Sequence, residues 1–222
     1  MKKGLLLLLM GFGLNTTGVC QDPTISQAQT AQFSSSTNAP IVGGKSPDGK
    51  YEVRVFQTSQ REPSDYFYGV VEIASGKVIK QIDDGASYCS YKAVANNPGV
   101  SQVLWNQKSD LFALMDHGGR HNEDLYLYKV NTNSVTKIET PDYLKNALSL
   151  AGFKHCYLIS VAKVTGWEGN TLKCNLAFDG IPPGGGRSGV YTTDFLVEIT
   201  NRQGVKPSAV LTKMKPPLEG GG

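Results

Sequence analysis

The stretch Ser46-Pro47-Asp48-Gly49-Lys50-Tyr51-Glu52-Val53-Arg54-Val55 decides the fold of this chain. Proline fixes φ and glycine readily takes positive φ, so residues 46–50 predict a tight turn. Residues 51–55 then alternate apolar and charged side chains with a period of two, which is typical of a half-buried β-strand. The sequence therefore predicts a turn followed by a strand, and the same order returns further along the chain.

The predicted strands fall into three copies separated by about sixty residues. They are 51–55, 68–73 and 78–82 in the first copy, 111–115, 125–130 and 135–138 in the second, and 158–164, 172–178 and 195–199 in a fainter third. Gly76 and Asn133 occupy equivalent hairpin positions, and both residue types tolerate the left-handed conformation that a tight hairpin requires. The pattern predicts a mainly β protein built from repeated antiparallel hairpins.

The turn Ser46-Pro47-Asp48-Gly49-Lys50 before a strand, with a later strand ending in Ala74-Ser75-Gly76-Lys77-Val78, resembles the repeat of TolB-type β-propellers of exported bacterial proteins. The resemblance covers 46–140 well and 155–205 less closely, and Asn106-Gln107-Lys108-Ser109 stands where the second turn signature is expected. It implies about three propeller-like repeats. Because four to eight blades close a ring, we expect an incomplete propeller or an irregular stack of antiparallel sheets, with a partner copy as a way to complete it.

One short helix is predicted near 141–151. Thr140 can act as its N-cap, Pro141 suits the first turn, and Gly152 can end it. The apolar residues at helical spacing on one face are Leu144, Ala147, Leu148 and Ala151. We expect this helix to lie over a sheet face or edge, with a partner-binding helix as the alternative.

The first twenty residues have the features of an export signal. Lys2 and Lys3 precede an apolar run, 4–14, that is too short to span a bilayer and is followed by polar residues. We therefore predict a periplasmic or secreted protein with no transmembrane segment in the mature chain. A lipid anchor at Cys20 is a minority alternative.

The composition divides the rest of the chain into three parts. Residues 21–45 begin with a stretch rich in Gln, Ser and Thr that predicts a flexible linker, 46–214 predict the β domain, and 215–222 predict a disordered tail. Of the 222 residues, 22 are Lys or Arg and 19 are Asp or Glu. Because the predicted signal peptide at 1–20 removes two lysines, the mature net charge is about +1, which gives no electrostatic support for a nucleic-acid partner.

The least ordinary polar cluster runs from Asp116 to Asp124. Histidine and carboxylate suit zinc-like ions, but Gly118-Gly119 makes this segment a loop, where His117 and His121 do not share one face as they would on a helix. We predict neither a metal ion nor a cofactor. Since loops often carry binding residues, the predicted ligand-binding residues are Asp116, His117, Arg120 and His121.

Residues 39–46 match the letters of a phosphate-binding P-loop. No strand is predicted before this segment, and Pro47 follows where a helix has to begin, so we exclude nucleotide binding.

Three cysteines, Cys89, Cys156 and Cys174, remain after the signal peptide, an odd number for an oxidising compartment. If a hairpin turns at 166–169, Cys174 faces Val161, five residues from Cys156, which is too far for a disulfide. The pairing of Cys89 stays open.

These observations predict an exported, non-enzymatic binding or scaffolding protein whose ligand is an unspecified protein or small molecule. No catalytic residue is identified. One alternative is a hydrolase that uses paired carboxylates, Asp83 with Asp84 or Glu123 with Asp124. Another is an envelope protein that associates with itself, as a homo-oligomer, through exposed strand edges.

Overall fold

A computed structural model of the protein describes residues 38–57, 66–82, 94–95, 97, 100–116, 124–153, 156–182, 184–185, 188–201 and 205–219. The predicted signal peptide and most of the predicted linker lie outside these residues.

The fold is mainly β, as predicted, and a single nine-residue helix is found in the described residues. The strands are β1 (Asn38–Lys45), β2 (Tyr51–Gln57), β3 (Tyr66–Glu72), β4 (Val78–Ile82), β5 (Ser101–Trp105), β6 (Leu111–Asp116), β7 (Asp124–Asn131), β8 (Ser134–Ile138), β9 (Cys156–Glu168), β10 (Thr171–Gly180), β11 (Gly189–Thr200), β12 (Ser208–Met214) and β13 (Leu218–Glu219). The helix, α1, spans Tyr143–Ala151 and follows β8.

The first eight strands form one sheet in the order β4-β3-β2-β1-β5-β6-β7-β8. Each half is an antiparallel meander of four strands, and we call β1–β4 the first unit and β5–β8 the second. The two units meet where β1 and β5 pair in parallel at Val42 and Gln102. The edge strands β4 and β8 also contact each other, so this sheet is nearly closed and barrel-like.

The second sheet has the order β12-β11-β10-β9, with β13 pairing with the free end of β11. We call β9–β12, another antiparallel meander, the third unit. The structure confirms the antiparallel sheets, and it does not confirm a propeller, because β1 and β5 merge the first two units into one sheet whereas propeller blades are separate sheets.

The main apolar cores lie between neighbouring units. One lies inside the first sheet, where Tyr68, Phe112 and Tyr128 are at most 3% exposed. The other lies between the opposite face of the second unit and the third unit, where α1 contributes Ala147. A third, smaller cluster contains the stacked rings of Phe56 and Phe67, whose centroids are 5.1 Å apart. Burial alternates along β5, β10 and β11, as the period of two predicts, whereas all six residues of β6 are buried because this strand lies between the two main cores.

The turns after β1 and β5 have the same hydrogen bonds at positions sixty residues apart. The amide of Gly49 donates to the carbonyl of Ser46 at 2.9 Å, and the amide of Ser109 donates to that of Asn106 at 3.1 Å. Gly49 has φ 72°, and Ser109 takes the same left-handed conformation with φ 61°. The segment that departs from the expected turn signature therefore forms the same turn.

All three units also share one connection between the first hairpin turn and the end of the third strand. The carbonyls of Lys50, Asp110 and Asn170 accept hydrogen bonds from the amides of Ile73, Val130 and Ile199 at 2.8, 2.8 and 3.0 Å, respectively. The three acceptors are spaced by sixty residues, which matches the spacing of the sequence pattern.

Strands extend beyond both predicted ends of the β domain, 46–214. Residues 38–45, expected in the linker, form β1, which lies in the middle of the first sheet. Gly43 and Gly44 allow it to cross β5 and β2 closely, because a Cβ on Gly43 would lie 2.1 Å from the carbonyl oxygen of Val103. In the predicted tail, Lys215 is hydrogen-bonded to Asp194 through its backbone amide, and Leu218–Glu219 form β13.

The structure also differs from the prediction at the start of α1 and at the turn between β9 and β10. Helix α1 ends at Gly152 as predicted, with φ 72°, but its N-cap is Asp142 and not Thr140, because the carboxylate of Asp142 accepts from the amide of Lys145 at 2.9 Å. The hairpin between β9 and β10 turns at 169–170 instead of 166–169, so Cys174 is opposite Val164.

Candidate functional site

The predicted binding loop is described only at its first residue and its end. Asp116 is the last residue of β6 and is 5% exposed, so it lies in the protein interior and not in a solvated loop. It is opposite Ser101 on β5 and Asp124 on β7. His117, Arg120 and His121 lie outside the described residues, and their role in ligand binding stays a prediction.

Asp116 belongs to a buried polar group at one end of the first sheet. Tyr68 and Ser101 are both fully buried there, and the rings of Tyr66 and Tyr68 meet edge to face with centroids 5.6 Å apart. Burial, and after it the negative charge of Asp116, raises the pKa of the Tyr68 phenol far above its usual value. This group therefore holds the carboxyl group of Asp116 beside buried hydroxyls at the end of the sheet.

The paired carboxylates of the hydrolase alternative are mostly outside the description. Asp83, Asp84 and Glu123 are not among the described residues, and Asp124 is the first residue of β7. Within the described part of the chain, no cluster of three or more His, Cys, Asp or Glu side chains is arranged to bind a metal ion.

A cavity lies on the third unit, and we call it the third-unit groove. It has a volume of about 350 Å³, which lies within the range of small-molecule sites. Its lining residues are Thr165, Lys173, Cys174, Asp194, Phe195, Leu196, Lys213 and Lys215. They come from four segments, β9, β10, β11 and the end of β12 with the residues that follow it.

Two β-bulges at the same level of the sheet build this groove. The register between β9 and β10 shifts between Lys173 and Cys174, and the register between β11 and β12 shifts between Leu196 and Val197. Lys173 and Leu196 are direct partners across β10 and β11, so the two shifts lie side by side. Bulges bend a strand and redirect its side chains, which accounts for a cavity at this place on an otherwise regular sheet.

The strand register arranges the polar side chains of the groove in two rows. Lys173, Leu196 and Lys213 are successive cross-strand partners and therefore lie in one row on the same face. Asn175 and Asp194 form the neighbouring row. Residues in these rows are partly or fully exposed, whereas their neighbours along the strands point into the core shared with the second unit.

The one carboxylate of the groove is already paired. Asp194 accepts from the ammonium of Lys215 at 2.6 Å and from the amide of Asn175 at 3.0 Å. These contacts lower the pKa of Asp194, so it stays ionised at neutral pH. Lys173 pairs with Glu168 at 2.9 Å on an exposed surface, and in the described residues Lys213 has no ion pair.

The cysteine of the groove has a protonated thiol. Cys174 is free and 2% exposed, and burial raises its pKa to about 12. Because the thiolate is the reactive form, burial in the core leaves this thiol a poor nucleophile.

Sequence reasoning missed the groove because its residues are distant in the chain. The alternation of exposed and buried residues in β10 and β11 was visible, but the two bulges that align Lys173, Leu196 and Lys213 have no sequence signature. The available signal is the pair of lysines at 213 and 215, which the predicted boundary at 214 divides between the β domain and the disordered tail.

No protein-family model matches this chain, and no curated protein is significantly similar to it. In the residues that the structure describes, no helix is both long and apolar enough to cross a membrane.

Proposed function

We propose that this chain is an exported, non-enzymatic binding or scaffolding protein that holds its ligand in the third-unit groove. The observation that carries the proposal is a groove of about 350 Å³ whose lining combines the half-buried side chain of Leu196 with three lysine side chains. An apolar surface beside a few fixed polar groups is the usual composition of a small-molecule site. The predicted export signal at 1–20 supports an activity outside the cytoplasm.

The chemistry of the lining favours binding over catalysis. A general acid or base works best with a pKa near the working pH, and Asp194 has its pKa lowered by Lys215 and Asn175. A nucleophilic thiol needs a lowered pKa, and that of Cys174 is raised to about 12. The groove can therefore hold a ligand, but neither Asp194 nor Cys174 has a pKa shifted in the direction that would suit a general acid or a nucleophilic thiol.

Self-association through a strand edge is the second candidate. Among the described strands, β12 is an edge strand of the second sheet and carries the exposed side chain of Val210. Leu218 is exposed on β13, which pairs with the other end of β11. However, Lys213 and Lys215 also lie on or directly after β12, and lysines on an edge strand oppose edge-to-edge pairing. The polar outer face of the third unit resembles the terminal repeat of a stacked array, which keeps such an array soluble.

Two measurements test the proposal. Isotope-labelled protein is titrated with octanoate, octylamine, N-acetylglucosamine and trialanine, and amide shifts are followed by NMR. We expect at least one probe to move the signals of Lys173, Leu196 and Lys213, and we expect no turnover of p-nitrophenyl acetate or p-nitrophenyl glucoside. Turnover that is lost in Asp194→Asn or Asp116→Asn would show an enzyme and overturn the proposal.

The export part is tested separately. The full chain is expressed in a bacterial host, and the cell fractions are compared with those of a Lys2→Glu/Lys3→Glu variant, which lacks the positive charge before the apolar run. We expect the unmodified chain in the periplasm and the variant in the cytoplasm. Equal cytoplasmic recovery of both would contradict an exported protein.

A further inference from the structure

We infer that the ligand of the third-unit groove is a small organic anion with an apolar chain, held at its carboxylate by Lys173 and Lys213. This inference rests on the proposed function, because it names the chemical class that the same groove takes.

The register places the two lysines on either side of one apolar residue. Leu196 on β11 is opposite Lys173 on β10 and opposite Lys213 on β12. Neighbouring strands lie about 4.8 Å apart, so the two lysine Cα atoms are about 10 Å apart across the row. A lysine side chain extends about 6 Å, and both ammonium groups can therefore reach an anionic group lying above Leu196.

The charge of the lining favours an anion. The groove contains Lys173, Lys213 and Lys215 but a single acid, Asp194, which gives the lining a net charge of +2. Asp194 is occupied by Lys215 at 2.6 Å, so that pair contributes almost no net field. The charge available to a ligand is that of the other two lysines, Lys173 and Lys213.

Neither of these two lysines is committed to a strong internal partner. Lys213 has no ion pair in the described part of the chain. Lys173 contacts Glu168 at 2.9 Å, but both side chains are about half exposed or more, and an exposed pair of this kind is weak. A bound carboxylate can replace Glu168 at little cost.

The rest of the lining is suited to an apolar chain. On the exposed face, Leu196 is half-buried between the lysines, whose aliphatic stems add apolar surface beside it, whereas Phe195 and Cys174 lie beneath, at most 2% exposed, in the core. A volume of about 350 Å³ accommodates a small molecule and is too small for a folded partner. The geometry therefore indicates an amphiphilic anion and not an inorganic ion or a macromolecule.

The experiment compares octanoate, octylamine and inorganic phosphate by NMR titration of the mature protein. We expect octanoate to move the amide signals of the groove in a saturable manner, with an affinity that falls as salt is added. Lys173→Gln/Lys213→Gln should raise the dissociation constant of octanoate about tenfold, since each exposed charge contact contributes a few-fold. The matched control is Lys108→Gln, an exposed lysine in the turn after β5, which should leave the affinity unchanged.

The other outcomes of this titration distinguish a failure of the ligand class from a failure of the groove as the binding site. Stronger binding of octylamine in the groove would overturn the anionic ligand and leave the binding function intact. Phosphate binding as tight as that of octanoate would overturn the apolar chain. If no probe moves the groove signals, both this inference and the assignment of the groove as the binding site are wrong. Circular dichroism of the double variant confirms that it is folded, so that a weaker affinity reports the lost charges.

Discussion

The indole N–H of Trp105 donates to the backbone carbonyl of Gly44 at 2.9 Å, and this hydrogen bond ties the second unit to the first. The indole N–H of Trp167 makes the corresponding bond to the carbonyl of Leu104, also at 2.9 Å, and ties the third unit to the second. Gly44 and Leu104 are sixty residues apart, so the acceptors follow the period of the units. The chain contains two tryptophans, and both are used to join consecutive units.

Replacing Trp105 with phenylalanine is expected to destabilise the protein by about 1–3 kcal/mol, because the carbonyl of Gly44 then loses its donor in a buried site. The matched variant Trp167→Phe removes the same kind of bond at a half-buried position and should cost less. Urea unfolding followed by circular dichroism measures both. Equal stability of Trp105→Phe and the unmodified protein would contradict a joining role for this bond.

Gly43→Ala is expected to destabilise the protein by more than about 3 kcal/mol. The added Cβ would lie 2.1 Å from the carbonyl oxygen of Val103, and the residue has φ 71°, which disfavours any side chain. Gly166→Ala is the control, since nothing lies within 4 Å of its Cβ position and its backbone does not require positive φ. The free energy of unfolding should be nearly unchanged in the control, and a similar loss in both variants would contradict the close crossing of β1 and β5.

Gly43 and Gly44 show which part of the fold the local sequence does not predict. Turn residues and alternation act locally, so the strands after Lys50 and Asp110 and the helix end at Gly152 could be predicted. Strand β1 could not, because its partner β5 lies sixty residues away and its Gly43-Gly44 pair looks like a loop. The glycines are required by a close contact with another part of the chain, which the local pattern does not contain.

The candidate site was less predictable than the fold. Asp116 was identified as a polar residue next to a glycine-rich loop, but its burial beside Tyr68 depends on the packing of β3 against β6 across the inside of the first sheet. The groove depends on two bulges, and a bulge is an extra residue whose position is set by the twist of the finished sheet. Local sequence therefore predicted the strands, and the tertiary structure determined which of their side chains meet.

Ser109 is expected to tolerate glycine better than alanine. Its φ of 61° costs about 1 kcal/mol for a residue with a side chain, and its hydroxyl accepts from the amide of Asp48 at 3.0 Å. Ser109→Gly loses the hydrogen bond but relieves the backbone, whereas Ser109→Ala loses the bond and keeps the strain. Thermal unfolding should place Ser109→Ala about 1 kcal/mol below Ser109→Gly, and the reverse order would show that the turn does not hold this residue in the left-handed region.

The thiol of Cys174 is expected to be unreactive until the protein unfolds. At pH 8 a pKa of about 12 leaves about one thiolate in ten thousand, and the side chain is 2% exposed. A Cys20→Ser/Cys89→Ser/Cys156→Ser variant retains Cys174 as its single cysteine, and its reaction with Ellman's reagent can be followed directly. We expect a rate at least a hundredfold lower in buffer than in 6 M urea, and comparable rates would contradict the buried position of Cys174.

The pair between Asp194 and Lys215 gives a pH dependence whose sign follows from the pKa shift. Lys215 and Asn175 lower the pKa of Asp194 below 3.8 in the folded protein, so the folded state binds its proton less readily than the unfolded chain does. The stabilisation from this carboxylate is therefore complete above pH 3.8 and is lost as the pH falls through the lower, folded pKa. Both side chains are more than half exposed, so the stabilisation is a fraction of a kcal/mol.

An NMR titration of the Asp194 carboxyl carbon measures this pKa shift directly. The midpoint should rise towards 3.8 in Lys215→Gln and stay in place in Lys108→Gln. An unchanged midpoint in Lys215→Gln would show that Lys215 does not lower the pKa of Asp194.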